Sequence, residues 1–325
     1  MQKRCALYAA GVLLFGLSAG TAVAQRRHHE SDTARPVAPC FDPGDRSEVR
    51  LWDGAAPGAS GDDPCRDIPF LRVFPAARAN NASPAILVMP GGGYDRLTNE
   101  KEQEPVAEYF SKRLGVTTFL VYYRLVQKDG TYRYPVPMWD GQRAIKLVRS
   151  RATQFGIDPE KLGLFGFSAG GHLASTLTLH SASDFGLPTH DGVDAESGRP
   201  TLLGLGYPVI SMDPKQFAAT NSHNHLLTGY RGHELDRLET YLSGQENVKP
   251  STVPVFLFES MDDARISPQN SVLFGEALQA AHVPAQVKLF AHGRHGAGLA
   301  TDEPEESAWP EMFHRWLVTQ GFLAR

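Results

Sequence analysis

The chain has 325 residues, 42% of them hydrophobic and 21% charged, with a formal net charge of −4 at pH 7. That balance suits a globular protein with a buried core, and no polar low-complexity tract appears along the chain. With 36 acidic residues against 32 basic ones, the chain lacks the basic stripe of a nucleic-acid binder.

The first residues read as an export signal. Lys3 and Arg4 give a positive end, residues 6–17 an apolar stretch, and Ala22-Val23-Ala24 a small-x-small cleavage pattern. Cleavage is expected after Ala24, giving a periplasmic or secreted protein with no membrane association afterwards. The apolar run falls short of the ~20 residues that span a bilayer. Cys5 precedes that run, so it is not a lipidation site. Cys40 and Cys65 are then the two remaining cysteines, and an oxidising compartment predicts a bridge between them. Closing that loop is worth ~3 kcal/mol in the chain-entropy model.

Residues 25–69, rich in Pro, Gly, Asp and Arg, read as an irregular N-terminal arm. Residues 70–325 then read as one catalytic domain. Short apolar runs at 85–89, 117–123, 162–167, 202–207, 253–258 and 286–290 predict buried strands. Helical patterns separate them: 102–114 before Gly115, 139–155 before Gly156, then 169–179, 268–281 and 304–318. This alternation predicts an α/β fold with a mostly parallel central sheet and helices on both faces. Ligands in such folds bind at the carboxyl ends of the strands.

Gly166-Phe167-Ser168-Ala169-Gly170 closes a predicted strand and opens a predicted helix. This is the Gly-x-Ser-x-Gly elbow in the strand-turn-helix context it requires, so Ser168 is the expected nucleophile. Pro90-Gly91-Gly92-Gly93-Tyr94 follows the first clear strand, where such folds place an oxyanion loop. Amides of Gly92, Gly93 and Ala169 are the expected donors to a tetrahedral oxyanion. A phosphate loop would need a lysine after its glycines, and Tyr94 stands there instead.

A serine hydroxyl needs a base, and position separates the 12 histidines. His295 follows the last strand and lies between flexible glycines, which favours it over its neighbour His292. His172 sits inside the helix after the elbow and reads as structural. The Asp262-Asp263 pair follows the preceding strand, where a serine hydrolase carries its acid, and either carboxylate is placed to orient the imidazole.

These pieces, with Glu104-Pro105, Tyr123-Arg124-Leu125, Asp140 with Gln142-Arg143, the stretch 207–211 and Asn270-Ser271, resemble the bacterial α/β-hydrolases grouped with acetyl xylan and feruloyl esterases. The resemblance spans residues 85–316. It implies an α/β-hydrolase fold with little or no cap domain, and a Ser-His-Asp triad that selects Asp263. The implied substrate is a polysaccharide or oligosaccharide bearing acetyl or feruloyl esters, hydrolysed without metal or cofactor. Tyr94, Trp139 and Tyr207 are candidate rings for stacking on sugar at the mouth, with core or loop packing as the competing reading of all three. The chain departs from the family at Glu259-Ser260-Met261, where Glu259 is expected to bring a charge near the acid loop. A prolyl-type serine peptidase is the enzymatic alternative, although such enzymes add a propeller or cap domain. A catalytically silent binding protein is the other.

Overall fold

A computed structural model describes residues 39–77, 82–97 and 100–324. The expected signal segment and its cleavage site at Ala24 lie outside the described residues.

Eight strands form one sheet in the order β1-β2-β4-β3-β5-β6-β7-β8. They are β1 (Glu48–Arg50), β2 (Phe70–Phe74), β3 (Ser83–Met89), β4 (Thr117–Tyr122), β5 (Ile157–Phe167), β6 (Leu202–Gly206), β7 (Val255–Ser260) and β8 (Ala285–Phe290). The six from β3 to β8 run parallel, while β2 pairs antiparallel with both β1 and β4. The central strands lack polar alternation because both of their faces are covered. In β5, Phe165 and Phe167 point to one face and touch Trp309 of α8 (Trp309–Thr319), which also stacks on Phe258 at 4.7 Å. On the opposite face α4 (Ser168–Leu179) packs against α2 (Val136–Ser150), with Leu173 and Leu177 pressed close to Gly141.

Helix boundaries follow the predicted periodicity with local adjustments. The first predicted helix becomes a short 3-10 turn at Glu100–Glu102, then α1 (Glu104–Tyr109), then a π-helical turn (Phe110–Leu114) capped by Gly115 in the left-handed region. The next breaks after α2 and resumes as α3 (Ala152–Phe155), with Gly156 as its left-handed cap. Two helices not expected from the pattern, α5 (Thr220–Leu226) and α6 (Gly232–Leu242), are inserted between β6 and β7. The insertion is a small wall and not a separate lid. α7 (Gln269–Ala280) lies between β7 and β8.

The described part of the arm is mostly irregular yet joined to the sheet. It supplies β1 as an edge strand, buries Leu51 and Trp52, and carries the Cys40–Cys65 disulfide. Its docking is ionic as well as apolar. Arg124, at the end of β4, makes a buried bidentate pair with Asp140 of α2 at 2.7–3.2 Å and donates to the Pro57 carbonyl at 2.8 Å. Its guanidinium also lies over the rings of Trp52 and Tyr132. β1 and β2 escaped the sequence reading because they are short and only partly buried, so the apolar signal is diluted.

Candidate active site

Ser168 stands where β5 turns into α4. Phe167 is extended (φ −111°, ψ 139°), and Ser168 takes φ 50°, a left-handed value that a non-glycine residue adopts rarely. The turn closes only because its neighbours have no side chains. A β-carbon on Gly166 would collide with the Gly170 carbonyl, and one on Gly170 with the Met89 and Pro90 carbonyls of the glycine loop. Ala169 N–H belongs to the first turn of α4, where amides have no partner within the helix.

His295 Nδ1–H donates to Asp263 Oδ2 at 2.6 Å, which leaves Nε2 to accept the Ser168 hydroxyl at 2.9 Å. Asp263 is itself fixed. Its Oδ1 accepts the amides of Arg265 at 2.7 Å and Ile266 at 3.0 Å. The three side chains therefore form a continuous relay able to draw a proton from Ser168. The rejected neighbours pair with each other: His292 Nδ1 meets Asp262 Oδ2 at 3.0 Å, and Gly293 N–H donates to Asp262 Oδ1 at 2.9 Å. Two His–Asp contacts thus clamp the same two loops, one exposed and one buried against the serine.

Ser168 and His295 open onto a cavity of about 470 Å³, whose walls include Gly92, Gly93, Arg96, Phe217 and Arg265. The glycines the sequence singled out therefore face the space a reacting carbonyl would fill. A buried brace lies behind them. Glu102 is fully buried, and it accepts the Gly91 amide at 2.8 Å and the Tyr207 hydroxyl at 3.0 Å. The Tyr207 oxygen in turn accepts Gly298 N–H at 3.0 Å, and its ring lies 4.9 Å from that of His295. One carboxylate and one phenol so connect the glycine loop, the end of β6 and the histidine loop. The sequence reading gave Glu102 no site role, because nothing local marks a glutamate at a helix start as buried.

The substrate-stacking expectation is corrected at all three positions. Tyr94 and Tyr207 are 0% and 1% exposed. Tyr94 O–H donates to His172 Nδ1 at 2.6 Å, since His172 Nε2–H is committed to the Leu242 carbonyl at 2.8 Å. Burial pushes the His172 imidazole down to about 4, so it stays neutral and structural. Trp139 lies outside the cavity wall, and its indole N–H donates to the Phe185 carbonyl at 3.0 Å. The aromatic ring that does line the cavity is Phe217, 50% exposed, on the inserted wall.

Glu259 also departs from expectation. Burial first, and then the neighbouring Asp263, push its carboxyl up to about 9, so it is protonated at neutral pH and adds no charge beside the acid loop. Between the ordinary 4.5 and about 9 the folded protein holds a proton that the unfolded chain releases, so this group costs stability progressively as pH rises through that window. Glu259→Gln is expected to remove a slope of up to ~1.4 kcal/mol per pH unit. Urea midpoints measured across the window check it. Parallel pH profiles for wild type and variant would contradict the assignment.

The BD-FAE family model matches residues 71–278, well over half of the chain. The chain belongs to the BD-FAE family. This BD-FAE member is 32% identical over 221 residues to endo-1,4-beta-xylanase B of Butyrivibrio fibrisolvens, covering 67% of this chain and 33% of that protein. It is 30% identical over 244 residues to the acetylxylan esterase of Xylanibacter ruminicola, covering 74% of this chain and 45% of that protein. The chain thus spans less than half the length of either relative. The solved acetyl ester-xyloside bifunctional hydrolase from Caldicellulosiruptor lactoaceticus is 34% identical, with a TM-score of 0.74 over 86% of this chain and 97% of that one. A thermophilic esterase from Thermogutta terrifontis, 24% identical with a TM-score of 0.66, shares the α/β-hydrolase fold.

Proposed function

We propose that this BD-FAE member is an exported serine esterase that removes acetyl groups from xylan or its oligosaccharides. The observation that carries the reading is the relay from Ser168 Oγ through His295 to Asp263, at 2.9 and 2.6 Å. In the proposed reaction His295 takes the Ser168 proton as the oxygen adds to the ester carbonyl. The amides of Ala169 and of Gly92 or Gly93 receive the oxyanion, and His295 then protonates the departing sugar alcohol. Water, deprotonated by the same imidazole, releases acetate and returns the proton to Ser168. Asp263 holds the imidazole in the tautomer that can do this.

The acetylxylan esterase and the acetyl ester-xyloside hydrolase among the relatives support acetyl as the acyl group and an ester over a peptide bond. Feruloyl release is the second reading, from the sequence resemblance. The Cys40–Cys65 bridge is consistent with an oxidising compartment and so with export. The test is release of acetate from acetylated xylan and of ferulate from feruloylated arabinoxylan by the purified protein. Acetate release is expected. A protein that frees neither acid and leaves p-nitrophenyl acetate intact would overturn the proposal.

A further inference from the structure

The cavity before Ser168 carries charge of the opposite sign to the chain as a whole. Among the described residues that line it, two are arginines, Arg96 and Arg265, and none is a carboxylate, in a chain of net charge −4. Both arginines are anchored through their backbones to loops of the reacting centre. Arg96 N–H donates to the Gly92 carbonyl at 3.3 Å, and Arg265 N–H to Asp263 Oδ1 at 2.7 Å. The main chain at both positions is therefore tied to the oxyanion loop and the acid loop, and both residues belong to the cavity lining. Arg96 is partly balanced by Asp95, at 3.3 Å. Arg265 is exposed and makes no ion pair among the described residues.

A guanidinium left without a partner at a half-enclosed cleft offers paired N–H donors to a planar anion, and the cleft walls concentrate its field. From this we propose, resting on the esterase reading above, that the site prefers esters bearing a carboxylate close to the scissile bond, with Arg265 as the principal recognition residue and Arg96 as its partner. The carboxylate belongs either to the alcohol part, as a uronic acid branch beside an acetylated sugar, or to the acyl part, as in a half-ester of a dicarboxylic acid.

The test compares kcat/KM within two pairs of substrates. One pair is acetylated xylotriose with and without a glucuronic acid branch; the other is p-nitrophenyl hemisuccinate against p-nitrophenyl butyrate. A preference of about tenfold for the charged member is expected in one pair, the worth of a single charge-assisted contact. It should reside in KM, shrink as salt screens the exposed guanidinium, and fall in Arg265→Gln, which keeps the amide that holds Asp263. The pair showing the preference identifies the side of the ester that carries the carboxylate. Neutral esters hydrolysed as well as charged ones in both pairs, or a preference unchanged in both Arg265→Gln and Arg96→Gln, would overturn the proposal and leave the esterase reading standing. Failure on all four substrates would overturn this preference, and with acetylated xylan, feruloylated arabinoxylan and p-nitrophenyl acetate also left intact it would overturn the esterase reading as well.

Discussion

Asp263→Asn is expected to lower kcat on the order of 10⁴-fold with the fold intact, and Ser168→Ala to remove covalent turnover altogether. The asparagine keeps the shape but presents either an amide donor or a weaker acceptor to His295 Nδ1, now held at 2.6 Å. The imidazole then loses the reason to keep its proton on Nδ1, and Nε2 no longer reliably faces the Ser168 hydroxyl as an acceptor. Asp262→Asn is the control. Asp262 pairs with His292 in solvent at 3.0 Å, and exposed pairs contribute little, so the rate should fall by less than about tenfold. Initial rates on p-nitrophenyl acetate, with labelling by a fluorophosphonate, read all three variants. Equal losses in the two aspartate variants would mean that the clamp as a whole, and not the Asp263–His295 contact, governs the base.

The second large effect concerns stability. Asp140→Asn should cost about 3–5 kcal/mol, because it leaves the Arg124 guanidinium buried without its counter-charge. Both side chains are almost wholly enclosed, at 1% and 0% exposure, and Arg124 N–H also donates to Asp140 Oδ2 at 2.8 Å. A surface variant such as Glu234→Gln, in an exposed stretch of α6, should shift the urea midpoint far less. The double variant Arg124→Met/Asp140→Leu is expected to recover much of the loss, since replacing a whole buried pair by apolar groups is often close to neutral. A loss under ~1 kcal/mol for Asp140→Asn would show that water reaches the guanidinium and that the arm is not pinned there.

This pair also explains why parts of the sequence pattern were informative without being chemical. Tyr123-Arg124-Leu125 and Asp140 are the two halves of one ion pair. Asn270 Oδ1 accepts the amides of Ile210 and Ser211 at 3.0 and 2.9 Å, which ties the start of α7 to the chain after β6. Arg143 donates to Asp191 at 2.6–2.7 Å and to the Leu51 carbonyl at 2.8 Å, another fastening of the arm. Such residues appear in a motif because a buried charge or amide must meet its partner, wherever that partner falls along the chain.

The strand-helix alternation, the glycine elbow with Ser168, the glycine loop, and the loops bearing Asp263 and His295 were legible in the order of the amino acids. Those are local signals: apolar periodicity, glycines at a turn too tight for side chains, and chemistry-bearing residues just past strand ends. Three-dimensional packing added that Asp262 and His292 form a separate exposed pair, that Tyr94 and Tyr207 face inward, and that Glu102 braces three loops from beneath. It also decided that Glu259 carries no charge at neutral pH, and that Phe217, Arg96 and Arg265 surround the serine. Burial and pairing are properties of what surrounds a side chain, and here much of that surrounding comes from other strands and loops, such as Glu102 beneath Tyr207 and Ser168 beside His295.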